Sequence, residues 1–161
     1  MSFVEVERND GVMTIRLNRP ERMNSLGTEM RNLLADAWCE FRDSKDLEVA
    51  IFTGTGRAFC AGEDMKESVE KGRVGASPEA AKKENPYNDG TLDKPVIVAI
   101  NGFAIQSGLS IALASDFRIA ARGAKLGSAT LRFGYLPDEG GHWLLVQHMG
   151  VGRAMDFLMR K

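Results

Sequence analysis

An α/β fold is the class that the sequence predicts, on three observations. Wholly apolar runs at residues 49–52 and 96–100 are typical of strands that are buried on both faces. Segments with the apolar spacing of a helix alternate with these strands, the clearest at residues 28–42. Many of the 17 glycines fall at predicted strand ends, which indicates tight turns. The length of 161 residues suits a single domain over residues 1–161.

The first half of the chain is predicted to fold as a β-β-α-β unit. Its predicted elements are strands at residues 3–8, 12–17 and 49–52 and a helix at residues 28–42. The tripeptide Asn9-Asp10-Gly11 between the first two strands is a strong turn signal, so these strands form a hairpin. Thr28 is the expected N-cap of the helix.

The second half follows a polar segment. Residues 66–93 are rich in Gly, Pro, Lys, Glu and Asn, and they predict a flexible segment with one short helix near residues 77–84. Such a segment suits either a flap over a site or a plain disordered loop. The later predicted elements are strands at residues 96–100, 117–120 and 125–127 and helices at 109–114, 141–148 and 152–160.

Bulk composition opposes several classes of partner. The 21 basic and 22 acidic residues nearly cancel, which gives no support for nucleic acid or an anionic membrane as a partner. No apolar run is long enough to cross a bilayer, and the N-terminus lacks the apolar stretch of a signal peptide. Cys39 and Cys60 suit free thiols in a reducing compartment, so a cytoplasmic protein without metal or cofactor is expected.

Two glycine-punctuated loops carry the clearest sign of chemistry. The first, GRAFCAGED, occupies residues 56–64, and the second begins with KPVIVAINGFA at residues 94–104 and continues through Gln106, Ser107 and Gly108. Each follows a strand-like run and opens a predicted helix, an arrangement that leaves backbone N–H groups unpaired. Two such turns side by side form an oxyanion hole for a thioester or another acyl group.

The order of several motifs resembles that of the crotonase (enoyl-CoA hydratase/isomerase) superfamily. Besides the two loops, the matching strings are LNRPE at 17–21, NSL at 24–26, TG at 53–54, DFRIA at 116–120, and Gly134, Pro137, Asp138, Gly140 and Gly141. The resemblance implies a repeated ββα spiral core. It further implies catalysis on a coenzyme A thioester through an enolate, and a homo-oligomer, trimer or hexamer.

By matching positions, the resemblance assigns the oxyanion donors to the backbone N–H groups of Glu63 and Ser107. It places the 3′-phospho-ADP of coenzyme A near residues 18–26 and 60–66. Arg19 in the first of these segments is a candidate partner for the phosphate charge. The substrate-binding residues expected on this basis are Arg22, Cys60, Ala61, Gly62, Asp64, Met65, Lys66, Gly108 and Thr130. Cys60 is expected to pack near the ligand, with no nucleophilic role.

Three departures from the family pattern bear on activity. Ser110 and Thr130 stand where hydratases have two water-activating glutamates, which opposes ordinary hydration. Gln106 and Ser107 add side chains to a loop that is glycine-rich in relatives. Most of the C-terminal helical region of the family is lacking, either because the gene product is truncated or because those helices have been dispensed with.

Asp138 is the candidate base or nucleophile, because relatives that isomerise or dehalogenate acyl-CoA have an aspartate at the matching position. Burial beside an apolar acyl pocket would raise the pKa of this carboxyl and suit proton transfer. The alternative is an N-cap of the following helix. Glu139 is a second candidate or a surface residue. His142, four residues after Asp138, is an orienting partner or a structural histidine.

The predicted function is therefore an acyl-CoA enzyme of fatty acid metabolism. A single carboxylate favours an isomerase, lyase or hydrolase over a standard hydratase. The alternatives are a catalytically inactive protein that binds CoA esters or assembles into oligomers, and a degenerate fragment that folds only as an oligomer.

Overall fold

The computed structural model describes residues 2–72, 84–128 and 141–159. The strands are β1 Val4–Asn9, β2 Val12–Leu17, β3 Val49–Gly54, β4 Ala58–Cys60, β5 Val96–Ile100, β6 Phe103–Ile105, β7 Phe117–Ala120 and β8 Leu126–Gly127. The α-helices are α1 Thr28–Asp43, α2 Met65–Glu70, α3 Ser107–Ala114 and α4 Gly141–Met159, and a 3₁₀ turn spans Pro20–Arg22.

Two sheets share the described strands. A large sheet has the order β1-β2-β3-β5-β7, and a small one has the order β4-β6-β8. The hairpin β1–β2 is antiparallel, whereas the other pairs are parallel. From β3 onward, each unit gives one strand to the large sheet, the next to the small sheet, and then a helix. The β-β-α repeat that the resemblance implied is confirmed, and so is the hairpin.

The core lies between the large sheet and α1. Strand β2 alternates buried and half-buried residues as a strand with one core face should. Trp38 of α1 packs edge-on against Phe52 of β3, with ring centroids 5.3 Å apart, and stacks on Tyr87 at 4.7 Å. Trp38 and Phe52 are each only 1% exposed. The amphipathic pattern of residues 28–42 therefore predicted both the helix and its buried face.

The start of α1 differs from the prediction. Thr28 is the first helical residue, the N-cap position belongs to Gly27, and Gly27 has no side chain to cap the helix. Glu67 of α2 replaces the missing cap from across the structure: its Oε1 accepts hydrogen bonds from the Thr28 N–H at 3.1 Å and from Thr28 Oγ1 at 2.6 Å. A carboxylate at a helix N-terminus also interacts favourably with the helix dipole.

The Glu67 carboxyl is strongly acidic as a result. Burial raises its pKa, but the hydrogen bonds from Lys71 and Thr28 outweigh burial and hold the pKa at about 2. The carboxylate thus joins α1 to α2 in its charged form.

The polar segment of residues 66–93 makes defined contacts at both described ends, and its flexibility stays a prediction. Its beginning forms α2, capped by Asp64, whose Oδ1 accepts from the Glu67 N–H at 3.2 Å. Near its end, Tyr87 donates its hydroxyl hydrogen to the Ile111 carbonyl at 2.5 Å. Burial raises the pKa of this phenol. The short helix predicted near residues 77–84 lies, except for Glu84, outside the described residues.

Helices α3 and α4 form a second apolar cluster. Its buried members are Leu109, Leu113, Leu145 and Ala154. Gly150 breaks α4 with a φ of 77° and a ψ of 162°, so the span consists of two helical pieces, as predicted for residues 141–148 and 152–160. His148 contacts the Leu113 carbonyl through Nε2 at 2.9 Å and so joins the first piece to the last turn of α3.

The small sheet brings two backbone segments into direct contact. A methyl group built at Gly108 of α3 would overlap the carbonyl oxygen and carbon of Cys60, which are rigid backbone atoms. One built at Gly62 would lie 2.9 Å from Gln106 Cβ and 3.0 Å from the Ile105 oxygen. Neither position has room for a side chain, so β4 and the start of α3 approach as closely as two backbones can.

We predict that Glu67→Ala lowers the free energy of unfolding by about 1–2 kcal/mol, the usual cost of losing a helix cap. Urea denaturation monitored by circular dichroism would measure it. Glu70→Ala is the matched control on the same helix, because Glu70 is 64% exposed and its ion pair with Lys66 is 4.0 Å long. Equal losses for the two variants would contradict the cap.

The contribution of Glu67 should also depend on pH. Because its pKa in the folded protein lies below its ordinary value of 4.5, the carboxylate stabilises the fold fully above about pH 4.5. This stability is lost as the pH falls towards the folded value of about 2. The difference in unfolding free energy between wild type and Glu67→Ala should therefore be smaller at about pH 3.5 than at about pH 7.

We predict that Gly108→Ala destabilises the protein by about 3 kcal/mol or more, because a clash with rigid backbone cannot be relieved by a side-chain movement. Gly152→Ala is the control, since a methyl group there meets no atom within 4 Å and alanine favours the helix. Thermal denaturation of both variants would test the prediction. A Gly108→Ala protein as stable as wild type would contradict the close approach.

Candidate functional site

Strands β4 and β6 end side by side. They are parallel neighbours, with Ala58 opposite Phe103 and Cys60 opposite Ala104. Because parallel strands have their carboxyl ends at the same edge of a sheet, the residues after β4 and after β6 emerge together. The two loops that the sequence singled out are therefore adjacent.

The N–H of Glu63 points away from Leu26, the residue to which the neighbouring peptide groups are hydrogen-bonded. Leu26 donates to the Gly62 carbonyl at 2.7 Å and accepts from the Asp64 N–H at 3.2 Å, so it uses the peptide groups on either side of Glu63. In an extended segment successive peptide groups point in opposite directions. The Glu63 N–H thus points to the other side, where it has no acceptor among the described residues.

The N–H of Ser107 is unpaired for a different reason. Ser107 is the first residue of α3, and the first N–H groups of a helix have no intrahelical acceptor. The neighbouring groups are used: Gln106 donates to the Gly127 carbonyl at 3.1 Å, and Ser110 donates to the Gln106 carbonyl at 3.0 Å. Within the described residues no acceptor meets the Ser107 N–H.

The structure therefore brings together the two predicted donors at the ends of adjoining strands. A pair of backbone N–H groups in this arrangement is suited to bind one oxygen that becomes negative during a reaction. Ser107 and the neighbouring residues Gly62 and Gly108 have little exposed surface.

The Glu63 side chain does not oppose an anion at this place. Its carboxylate forms an ion pair with Arg31 of α1, and its Oε1 accepts a hydrogen bond from Ser68 Oγ at 2.9 Å. These contacts hold the negative charge among α1 and α2 and offset it with a guanidinium. Only the backbone of Glu63 is then presented beside Ser107.

The residues expected around the loops have varied environments. Cys60 is fully buried, and its Sγ accepts from the Gly62 N–H at 3.4 Å, which agrees with a packing role. Ala61 donates its N–H to the Met23 carbonyl at 3.0 Å and anchors the loop. Met65 begins α2 and is half-buried.

Two of the expected charged contacts are internal. Asp64 is only 6% exposed, caps α2, and accepts from Arg19 Nη1 at 2.7 Å. Arg19 also lies over the Phe3 ring, 5.1 Å from its centroid. Asp64 and Arg19 thus form an internal ion pair that stabilises the fold, and the Arg19 guanidinium is already paired with a carboxylate.

The other cations of this region are exposed. Arg22 ends the 3₁₀ turn, and Lys66 lies on the first turn of α2, where its ion pair with Glu70 is long at 4.0 Å. Arg57, which the sequence interpretation did not include among the binding residues, is also exposed, and its Nη2 contacts Sδ of Met23, the residue after Arg22, at 3.6 Å. Its position in a glycine-rich turn before β4 was the available signal.

Three of the expected site residues fall in a part of the chain that the structure leaves undescribed. Thr130, Asp138 and Glu139 all lie outside the described residues. His142 is half-buried on the first turn of α4. Ser110 is 7% exposed on α3, and its hydroxyl lies 3.4 Å from the Gln106 carbonyl. No carboxylate stands at the Ser110 position.

Gln106 is the residue whose importance the sequence understated. Its φ of 53° and ψ of −121° belong to a conformation that glycine favours, as at the first central position of a type II′ turn. Its Nε2 is buried and has no hydrogen-bond partner among the described residues. The Gln-Ser-Gly string in place of glycines was the signal for the strain, whereas the unpaired amide is visible only in three dimensions.

Among the described residues, no cluster of three His, Cys, Asp or Glu side chains is arranged to hold a metal ion. Within the same residues, no helix combines the length and the apolar character needed to cross a membrane.

Comparison with known proteins identifies the family. The family model described as enoyl-CoA hydratase/isomerase matches residues 7–160. The chain is 40% identical over 162 residues to 1,2-epoxyphenylacetyl-CoA isomerase of Escherichia coli (strain K12), covering 96% of this chain and 61% of that protein. It is 39% identical over 163 residues to a probable peroxisomal enoyl-CoA hydratase 1 of Arabidopsis thaliana, covering 96% of this chain and 58% of that protein.

Solved structures agree in fold. The crystal structure of enoyl-CoA hydratase from Mycobacterium tuberculosis H37Rv superposes with a TM-score of 0.88 at 30% identity, covering 99% of this chain and 62% of the other. A probable enoyl-CoA hydratase/isomerase from Mycobacterium abscessus gives a TM-score of 0.87 at 30% identity, covering 98% and 61%. The chain thus spans about three fifths of the length of these relatives. On the match over residues 7–160 and the shared α/β fold, it belongs to the enoyl-CoA hydratase/isomerase family of the crotonase superfamily.

Proposed function

We propose that this protein binds an acyl-CoA thioester and stabilises its enolate between the N–H groups of Glu63 and Ser107. The observation that carries the proposal is the pair of N–H donors at the ends of the parallel neighbours β4 and β6, which meet no acceptor in the described part of the chain. Abstraction of a proton next to a thioester carbonyl places negative charge on the carbonyl oxygen. The two donors would offset that charge where it develops.

The two N–H donors are held in place before any charge develops, which supports the proposal. The donors sit on backbone that is held by the Leu26 bridge on one side and by the start of α3 on the other. They need not reorganise when the charge forms, which is the reason such donors are effective. Loss of one donor in other enzymes costs about 3–4 kcal/mol of transition-state stabilisation.

The coenzyme A moiety would use the loops around the donors. Arg22 and Lys66 are exposed cations suited to its phosphates, and Arg57 adds a third beside Met23. The remaining proposed contacts with the ligand are those of Cys60, Ala61, Gly62, Asp64, Met65, Gly108 and Thr130. Arg19 is a weaker candidate, because Asp64 already neutralises it.

Isomerisation or hydrolysis fits better than standard hydration. Ser110 is buried where hydratases have a glutamate, and a hydroxyl cannot act as a carboxylate base at neutral pH. The proposed base or nucleophile is Asp138, with Glu139 as the substitute and His142 as an orienting partner. The relative from Escherichia coli is named an isomerase, which favours this class.

A second function rests on two observations. Ser110 removes one acid–base group, and strand β7 leaves Phe117 and Ile119 61% and 66% exposed at the edge of the large sheet. A protein that binds CoA esters without converting them, or that assembles through this edge, would show both features. The exposed apolar residues also support a homo-oligomer, trimer or hexamer. Location in the cytoplasm stays a prediction.

We predict that an acyl-CoA thioester raises the thermal denaturation midpoint of the protein and is converted by it. The panel is CoA, acetyl-CoA, crotonyl-CoA and a β,γ-enoyl-CoA, followed by chromatography and mass spectrometry of the same tubes. A ligand at about 100 times its dissociation constant stabilises by about 2.7 kcal/mol. Conversion without a change of mass indicates isomerisation. Stabilisation without conversion favours the binding protein, and no stabilisation by any compound overturns both proposals.

We predict that Asp138→Asn lowers turnover by about 100-fold or more, because general acid–base groups contribute factors of that size. The thermal shift with the thioester should persist, since the oxyanion donors remain. Glu139→Gln is the matched control and should keep its turnover. A fall with Glu139→Gln and none with Asp138→Asn would exchange the two roles.

A further inference from the structure

Gln106 carries two energetic penalties at one residue. Its backbone φ of 53° is strained for a residue with a side chain. Its buried Nε2 meets no acceptor within the described part of the chain, and a buried donor without a partner is destabilising. Glycine at this position would remove both penalties. A ligand that accepts a hydrogen bond from the side-chain amide would offset the second penalty.

The amide lies between the two loops. A methyl group built at Gly62 would come within 2.9 Å of Gln106 Cβ and 3.1 Å of Gln106 Oε1, so the side chain reaches across to Gly62. Gly62 immediately precedes Glu63, and Gln106 immediately precedes Ser107. The amide is therefore next to both N–H groups that are proposed to bind the thioester oxygen.

The thioester oxygen itself does not need this donor. A carbonyl oxygen has two lone pairs, and the N–H groups of Glu63 and Ser107 occupy both. A third donor at the same place is paired only if the ligand brings a second acceptor close to the thioester. The residue as a whole is partly exposed although Nε2 is enclosed, so rotation about the side-chain bonds can present Nε2 to a ligand.

We propose that Gln106 is a specificity-determining residue whose Nε2 donates a hydrogen bond to an oxygen on the acyl group, within two or three bonds of the thioester carbonyl. The inference rests on the proposed function and deepens it. It assigns the preferred ligands to acyl-CoA thioesters with a hydroxyl, keto or ether oxygen near the thioester. An acyl group without such an oxygen leaves Nε2 unpaired in the closed site.

The test measures dissociation constants by isothermal titration calorimetry for matched pairs of thioesters. The pairs are 3-hydroxybutyryl-CoA or 2-hydroxybutyryl-CoA against butyryl-CoA. We expect wild type to bind one of the hydroxylated compounds about 10- to 100-fold more tightly than butyryl-CoA. The reason is that butyryl-CoA would leave Nε2 of Gln106 without an acceptor in the site.

Two variants separate the hydrogen bond from the backbone. Gln106→Met keeps the length of the side chain without a donor, and Gln106→Gly also relieves the positive φ. Both should lose the preference for the oxygenated ligand, while their affinity for butyryl-CoA stays within about threefold of wild type or improves. Gln106→Gly should also melt at a higher temperature than wild type. A purely structural Gln106 would alter stability but not the ratio of the two dissociation constants.

The outcomes are distinguishable. Equal affinity of wild type for both members of every pair, or a preference that persists in both variants, overturns the role of Gln106 and leaves the proposed function standing. Failure of every thioester to bind wild type overturns the proposed function and this inference together.

Discussion

The closeness of two backbone segments is the constraint on which the candidate site depends. Strand β4 and the first turn of α3 touch where Gly108 meets the Cys60 carbonyl, and no side chain fits between them. Two chain segments joined through side chains would keep some freedom, because rotamers can change. Backbone in contact with backbone has none of that freedom. The separation of the Glu63 and Ser107 N–H groups is therefore set by covalent geometry and by the pairing of β4 with β6.

Buried polar groups fix the outer side of the same site. Asn24 is fully buried, accepts from the Arg19 N–H at 2.8 Å, and donates to the Thr55 and Ala58 carbonyls at 2.9 Å and 2.8 Å. It ties the loop after β2 to the turn before β4. Since a buried carbonyl without a donor is costly, these bonds make the loop's position a condition of folding. The same hydrogen bonds of Asn24 thus stabilise the fold and hold the loops beside the candidate site.

The sequence predicted what depends on neighbours along the chain. Apolar runs located β3 and β5, and periodicity located α1 with its buried Trp38. The three-residue strands β4 and β6 are too short for a pattern, so the signs of the small sheet were the glycine-punctuated loops and the short strand predicted at residues 125–127. The cap of α1 comes from Glu67, 39 residues beyond Thr28, and no local pattern reports a contact at that distance. The unpaired Nε2 of Gln106 is likewise a property of packing.

The serine at position 110 restricts the range of proposed reactions more than the oxyanion hole does. The enolate that we propose to lie between Glu63 and Ser107 is a step common to many reactions, so the acid–base groups around it would decide the product. Addition of water requires one group to activate the water and another to place a proton, and Ser110 cannot supply either carboxylate function. A single base can take a proton from one carbon and return it to another, which moves a double bond without water. A shift within the acyl group is therefore the reaction that we propose for this site, ahead of standard hydration.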